Sequence, residues 1–356
     1  MKRAVIIFPD EWLPYSPTAL NLLQCLKERG YSTRVVTVRS TLFRNFEAYE
    51  ADVASFRVPY LLQRVLSRLR LYRLLKLLLF VAIHGRTIRE ADLCFGVDRI
   101  GFLVGRLLGK QPFYVSLEVV RDGYFRLARR LGIRHVLIQT KERYDWLFGE
   151  APVPYSILPN APILDGIDAG PAPGPELVYF GYVSAEHGVE SCIEALHELP
   201  ERFRLTIKGP VHDWYRESLQ SRYRAFLETG RLTLDSSYLE PEQVIPYLRR
   251  FAAGFCFYDA DVVARDFNYA SCPSGKLFNY LAAGMLVIGS DVLGLQVVRE
   301  KQCGVLLSEP SPRSIAEAIA VIEQDREGYR QRCLAAGAAL DFRTHFDRFW
   351  EHVIAG

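Results

Sequence analysis

Short runs that are apolar throughout recur along the whole chain, each followed by a stretch with helical periodicity. Ala4-Val-Ile-Ile-Phe8, Gly254-Phe-Cys-Phe257 and Met285-Leu-Val-Ile-Gly289 are typical. A strand exposed on one face alternates apolar and polar residues, and these do not. They belong in a sheet covered on both faces, and the intervening helices make that sheet parallel. In the first half strands are read near 3–8, 34–38, 92–96, 113–117, 135–139 and 155–158, with helices near 18–29, 60–83, 100–108, 122–131 and 141–148. A Gly/Pro-rich stretch, 165–175, interrupts the series. It resumes with strands near 176–180, 203–207, 231–234, 254–258, 286–289 and 304–307, and helices near 188–198, 213–228, 241–251, 274–283, 293–301 and 312–335. The pattern implies an α/β chain of two doubly wound Rossmann-like domains facing across a cleft, with ligands at the carboxyl ends of the strands. The expected boundaries are 1–162, 163–338, and a final segment 339–356 crossing back to the first domain. Phe342, Phe346, Phe349, Trp350 and Val353 recur there at helical spacing and read as core.

The 356 residues suffice for two cores of ordinary size. The seven cysteines, at 25, 94, 192, 256, 272, 303 and 333, form no CxxC and no cluster with His. They read as reduced core residues of a cytoplasmic protein that holds no metal. No signal peptide and no apolar run of spanning length is read.

The net charge of +3 hides an asymmetry. Residues 1–160 hold 25 Lys/Arg against 14 Asp/Glu, and residues 161–356 hold 19 against 27. From Val53 to Arg89 there is no acidic residue. Arg57, Arg64, Arg68, Arg70, Arg73, Lys76, Arg86 and Arg89 stand there among closely spaced leucines. The stretch reads as a basic amphipathic helix within 60–83, able to lie peripherally on the inner, anionic face of a membrane or to serve as a solvated domain helix. Nucleic acid is disfavoured because the aromatics do not interleave with the arginines.

Residues 273–284 read Pro-Ser-Gly-Lys-Leu-Phe-Asn-Tyr-Leu-Ala-Ala-Gly and lead into the strand 286–289. Pro273 suits a first helical turn. Ser274 and Gly275 leave the first N–H groups uncovered, and such groups attract anions. Lys276 is unfavourable beside the positive end of a helix dipole unless an anion such as a phosphate lies between them.

The order of these segments resembles the GT-B glycosyltransferases, most closely family 4 of the retaining sugar-nucleotide-dependent enzymes. The likeness rests on the strand–Gly181–helix segment 176–196, on Leu205-Thr-Ile-Lys-Gly209, on Leu158-Pro-Asn160 and on 273–294, and spans about residues 4–307. It implies transfer of a sugar from a nucleotide diphosphate sugar to a lipid-linked or envelope-glycan acceptor, with no cofactor beyond the donor substrate. In that family an Arg follows the glycine of the first turn and a Lys precedes the next helix. Here Tyr182 and His187 stand in those places. The family's two glutamates, eight positions apart, correspond to Ser271 and Asn279. Asn279 can still bond ribose hydroxyls, with neutral strength.

The resemblance and the loop positions together give the donor side Gly181, Tyr182, Lys208, Tyr238, Leu239, Asn268, Tyr269, Ser274, Gly275 and Asn279. Catalytic charge on that side falls to Lys276 and His187, with Arg265 as a further cation. The first domain lacks the family's Gly-Gly loop after strand one. Its acceptor-side candidates are Asp10, Tyr15 and Ser16. Glu118 stands where the family often has a His, and a carboxylate there is a candidate general base, or a partner of Arg121. Two other readings remain open at this point. One is a nucleotide-sugar epimerase of the same fold. The other is a non-catalytic binding or scaffold protein, favoured by the departures at Tyr182 and Asn279.

Overall fold

Seven strands of the first half lie side by side in one parallel sheet. They are β1 (Arg3–Phe8), β2 (Ser32–Val38), β3 (Val53–Phe56), β4 (Leu93–Val97), β5 (Phe113–Ser116), β6 (Val136–Ile138) and β7 (Tyr155–Ile157), in the order β3-β2-β1-β4-β5-β6-β7. The computed structural model describes residues 1–39, 51–69, 71–164, 166 and 174–356. Arg70 and most of the 165–175 stretch fall outside them. The register places Ile6 beside Val35 on one side and Phe95 on the other. All of these side chains are fully buried, as the unbroken apolar runs require.

A second parallel sheet holds β8 (Glu176–Phe180), β9 (Arg204–Lys208), β10 (Leu232–Asp235), β11 (Ala253–Cys256), β12 (Leu286–Ser290) and β13 (Gly304–Leu307), in the order β10-β9-β8-β11-β12-β13. Both sheets therefore reverse strand order beside their first strand, between β1 and β4 and between β8 and β11. Loops part at such switch points and leave room for a ligand at the carboxyl ends. Two apolar clusters cover the faces of the second sheet, one around Tyr179, Ile193, Phe255 and Ile288, the other around Val178, Leu277, Tyr280 and Val287.

The chain divides into a unit of Met1–Asn160 with Phe342–Gly356, and a unit of Ala161–Asp341. The terminal helix Phe342–Phe349 belongs to the first unit. Phe349 meets Phe95 and Phe113 edge-on at 6.4 and 5.3 Å, and Arg343 pairs with Glu28 at 2.8 Å. Its aromatic stripe is core.

Several helices read as continuous are broken, 213–228 among them, which divides at Tyr223 into Asp213–Arg222 and Arg224–Glu228. The span 60–83 is broken into Tyr60–Arg68 and Tyr72–Arg89, and 312–335 is broken at Asp325 into Pro312–Gln324 and Arg326–Ala339. At the last of these breaks the Asp325 side chain caps the new helix through the Gly328 N–H, a local bond that competes with helix continuation. The basic face is also divided. Arg64 and Arg68 stand exposed on Tyr60–Arg68, a helix with no buried residue. Arg73 is exposed and pairs with Asp122 at 2.9 Å. Lys76 is buried and bonds the Pro9 carbonyl and the Asp10 carboxylate, both at 2.8 Å. No helix among the described residues is long and apolar enough to cross a membrane.

Candidate functional site

The helix Gly275–Ala282 starts at the carboxyl end of the second sheet, and the Ser274 side chain does not cap it. Lys276, on its first turn, is half-buried. Its Nζ donates to the Tyr179 hydroxyl at 3.2 Å and lies 4.5 Å from the Tyr179 ring centre and 5.9 Å from that of Tyr258. Tyr179 donates its own proton to the Tyr182 carbonyl at 2.6 Å, so only its lone pairs face the lysine. Burial raises the titration of both phenols, which stay neutral at physiological pH. Among the described residues no Asp or Glu pairs with Lys276. Burial works against its charge, yet the contact with Tyr179 leaves it above its ordinary value, so the ammonium persists. A cation held among neutral partners beside an uncapped helix start has the chemistry to receive an anion.

Gly181 closes β8 at φ 132°, and a side chain at that position would approach Lys276 Cε. Gly209 closes β9 at φ 146°, and its Cβ would fall 1.9 Å from the Gly181 carbonyl oxygen. The two turns can lie together only because residue 209 has no side chain.

His187 completes the cluster. Its Nδ1 lies 2.8 Å from Ser184 Oγ, and its ring centre 6.1 Å from that of Tyr258. Burial first, and the Lys276 charge second, lower its pKa to about 4. It is therefore neutral at pH 7, and only an arriving anion would favour its charged form. Tyr182 is 47% exposed, with its ring edge-on to both His187 and His212.

The remaining donor-side residues divide. Asn279 lies half-buried on the helix of Lys276. Tyr238 and Leu239 lie in the loop after β10, with Tyr238 exposed. Asn268 and Tyr269 stand on a one-turn helix, Phe267–Ala270, capped by Asp266. Lys208 is buried and already matched, by Asp235 at 2.9 Å and the Ser237 carbonyl at 2.6 Å. Arg265 is exposed and stands 4.0 Å from Asp261 on the helix Ala260–Arg265. Ser271 donates to the Phe267 carbonyl and is buried.

In the first unit Glu118 lies in the turn after β5, half-buried, its N–H bonded to Asp98 Oδ1 at 3.0 Å. Arg121 stands 3.5 Å from Glu150 and over the Trp146 ring. Asp10 is occupied by Lys76. Ser16 caps the helix Pro17–Glu28 through the Ala19 N–H, and Tyr15 is 48% exposed.

Sequence reasoning missed Tyr179, Tyr258 and Asp98. Tyr179 had one signal, a hydroxyl inside an apolar strand two residues ahead of a glycine.

Two doubly wound units with this strand order define the GT-B fold. Anabaena HepE, solved with UDP-glucose, aligns over 100% of both chains with a TM-score of 0.70 and 13% identity. The lipopolysaccharide outer core galactosyltransferase WaaB aligns over 98% of both with a TM-score of 0.63 and 14% identity. WaaG, a glycosyltransferase of lipopolysaccharide biosynthesis, covers 99% of this chain and 100% of its own, with a TM-score of 0.63 and 13% identity. No family model and no curated protein matches the chain.

Proposed function

We propose that the protein is a glycosyltransferase that moves a sugar from a nucleotide diphosphate sugar to a glycan or lipid-linked acceptor. The observation that carries the reading is Lys276, a half-buried cation with no carboxylate partner among the described residues, beside an uncapped helix start and two glycine turns at a switch point. Breaking the sugar–phosphate bond develops charge on the diphosphate oxygens, and preorganised donors stabilise it most where water is excluded. Lys276 and the Gly275 and Lys276 N–H groups supply those donors. His187 gains a proton as the diphosphate arrives, which compensates for the absent arginine at Tyr182. Asn279 bonds the ribose. Glu118, in the first unit, serves as the base for the acceptor hydroxyl. HepE crystallises with UDP-glucose, which makes UDP the first nucleotide to test. Placement in family 4, with retention of configuration, belongs to the same proposal.

The acceptor is brought in at a membrane surface. Tyr60, Leu61, Leu62 and Val65 stand exposed with Arg64 and Arg68 on one helix, and Leu69, Leu71, Leu74 and Leu78 continue the apolar surface. This favours peripheral association with anionic lipid on the cytoplasmic side.

The test is binding of UDP, GDP and their sugar conjugates by calorimetry, followed by release of labelled sugar. Saturable binding of one nucleotide, lost in Lys276→Met, supports the reading. A wild-type protein that binds none of them removes it and favours the scaffold reading.

A further inference from the structure

Asp98 stands at the carboxyl end of β4 as the first residue of the helix Asp98–Leu107. It carries two local costs. Its φ is +50°, a left-handed backbone that non-glycine residues adopt rarely and at a cost. Its side chain is 3% exposed, and among the described residues Oδ2 has no hydrogen-bond partner, an uncompensated desolvation. Oδ1 accepts from two successive backbone groups, the N–H of Leu117 at 2.9 Å and that of Glu118 at 3.0 Å. The same turn is gripped from its carbonyl side. Arg143, fully buried, donates Nη2 to the Leu117 oxygen at 2.6 Å. The helix that bears Asp98 is itself tightly placed. A Cβ at Gly101 would fall 2.5 Å from the Ile7 carbonyl oxygen, so that backbone lies against β1 at a distance only glycine permits.

We propose that Asp98 is a positioning residue that locks the Leu117–Glu118 turn and so aims the Glu118 carboxylate. The proposal rests on Glu118 as the base, and it adds the residue that holds that base in place. The groups bearing on Asp98 are Glu118 from the turn, Asp10 from the loop after β1, Arg99 from its own helix and Tyr114 from β5. Burial and the Glu118 charge push its carboxyl up to about 7, against the pull of the backbone bond and Arg99. The lock is therefore firmest when Asp98 is ionised, above neutral pH, and it slackens as Asp98 takes a proton. Coupling between two charges is reciprocal, so removing the Glu118 charge lowers the Asp98 midpoint.

The experiment follows the Leu117 and Glu118 backbone amides by ¹⁵N-resolved spectra of the full chain from about pH 5 to 9. It compares wild type, Asp98→Asn and Glu118→Gln. The two amides should titrate together in the wild type with a midpoint near 7, lose that step in Asp98→Asn, and keep it at lower pH in Glu118→Gln. Amides that do not titrate in the wild type, or that titrate alike in Asp98→Asn, overturn the proposal. Should Asp98→Asn fail to fold, an unmoved midpoint in Glu118→Gln does the same. UDP-glucose consumption by the same proteins tests the base itself. Undiminished turnover in Glu118→Gln would remove Glu118 as base and leave the amide result standing.

Discussion

Replacing Lys276 by Met removes a charge while keeping an unbranched apolar stem. In the free protein the loss is small. One charge-assisted hydrogen bond to Tyr179 and the contact with its ring disappear, worth about 1.5–3 and about 0.5–2 kcal/mol before the desolvation of the ammonium is set against them. The partial desolvation of an ammonium with no carboxylate beside it disappears too. Apo stability should therefore stay within about 1 kcal/mol of wild type. In the bound protein the loss is large, because a charge-assisted bond to a phosphate contributes about 1.5–3 kcal/mol. UDP affinity should fall about 10- to 150-fold at 1.4 kcal/mol per decade. Calorimetry at fixed salt measures the affinity, and thermal unfolding without ligand measures the stability. A second signature comes from His187, whose titration the Lys276 charge holds down. In Lys276→Met the His187 ring protons should titrate at higher pH. Wild-type binding of UDP with unchanged affinity in the variant would refute the assignment. So would equal losses of affinity and apo stability, which would make Lys276 a packing residue.

Glu118→Gln should lower turnover about 10²–10⁴-fold with little change in UDP affinity, as steady-state rates and calorimetry would report. Asp98 titrates at about 7 in the fold against an ordinary 3.8, so its contribution to stability is fully present below about pH 4 and lost as pH rises to about 7. Denaturation of Asp98→Asn should lack that loss, so the stability of wild type relative to the variant falls across this window, by at most about 4 kcal/mol. UDP-glucose binding should tighten as pH falls towards about 4, the free value of His187, because His187 takes up a proton with the diphosphate, and His187→Gln should flatten that dependence in calorimetry. Replacing Arg57, Arg64 and Arg68 by Gln should abolish salt-sensitive co-sedimentation with anionic vesicles, each contributing on the order of 1 kcal/mol. Sedimentation that ignores salt and lipid charge would assign the binding to the exposed leucines instead.

Most strands of both sheets were legible because buried parallel strands are largely apolar, although β9 and β10 alternate with polar residues. The one missed, β3, is an edge strand whose four residues are all half-buried, so neither a continuous run nor a clean alternation marks it. The helix breaks at Leu69 and Asp325 escaped notice because the periodicity continues across them, while a polar cap or a local turn decides the boundary. Two short helices, Ala260–Arg265 and Phe267–Ala270, read as loop because each is held by an aspartate cap, Asp259 and Asp266, and not by an apolar face. Within the site, Lys276 was legible from its place at a helix start. Its partners were not, since Tyr179 and Tyr258 come from other strand ends and only the fold brings them to the lysine. Lys208 shows the converse. It stands at a strand end as expected, and a buried ion pair with Asp235 takes up its charge.

Sugar transfer from a nucleotide diphosphate donor is tested most directly with UDP-glucose labelled in the glucose. The purified protein is supplied with a membrane extract as acceptor, and free UDP and labelled acceptor are measured together. Equal amounts of UDP and labelled acceptor, both lost in Lys276→Met, are the expected result. Label that stays on the nucleotide, as its original sugar or as an epimer, in a protein that binds UDP-glucose would contradict transfer.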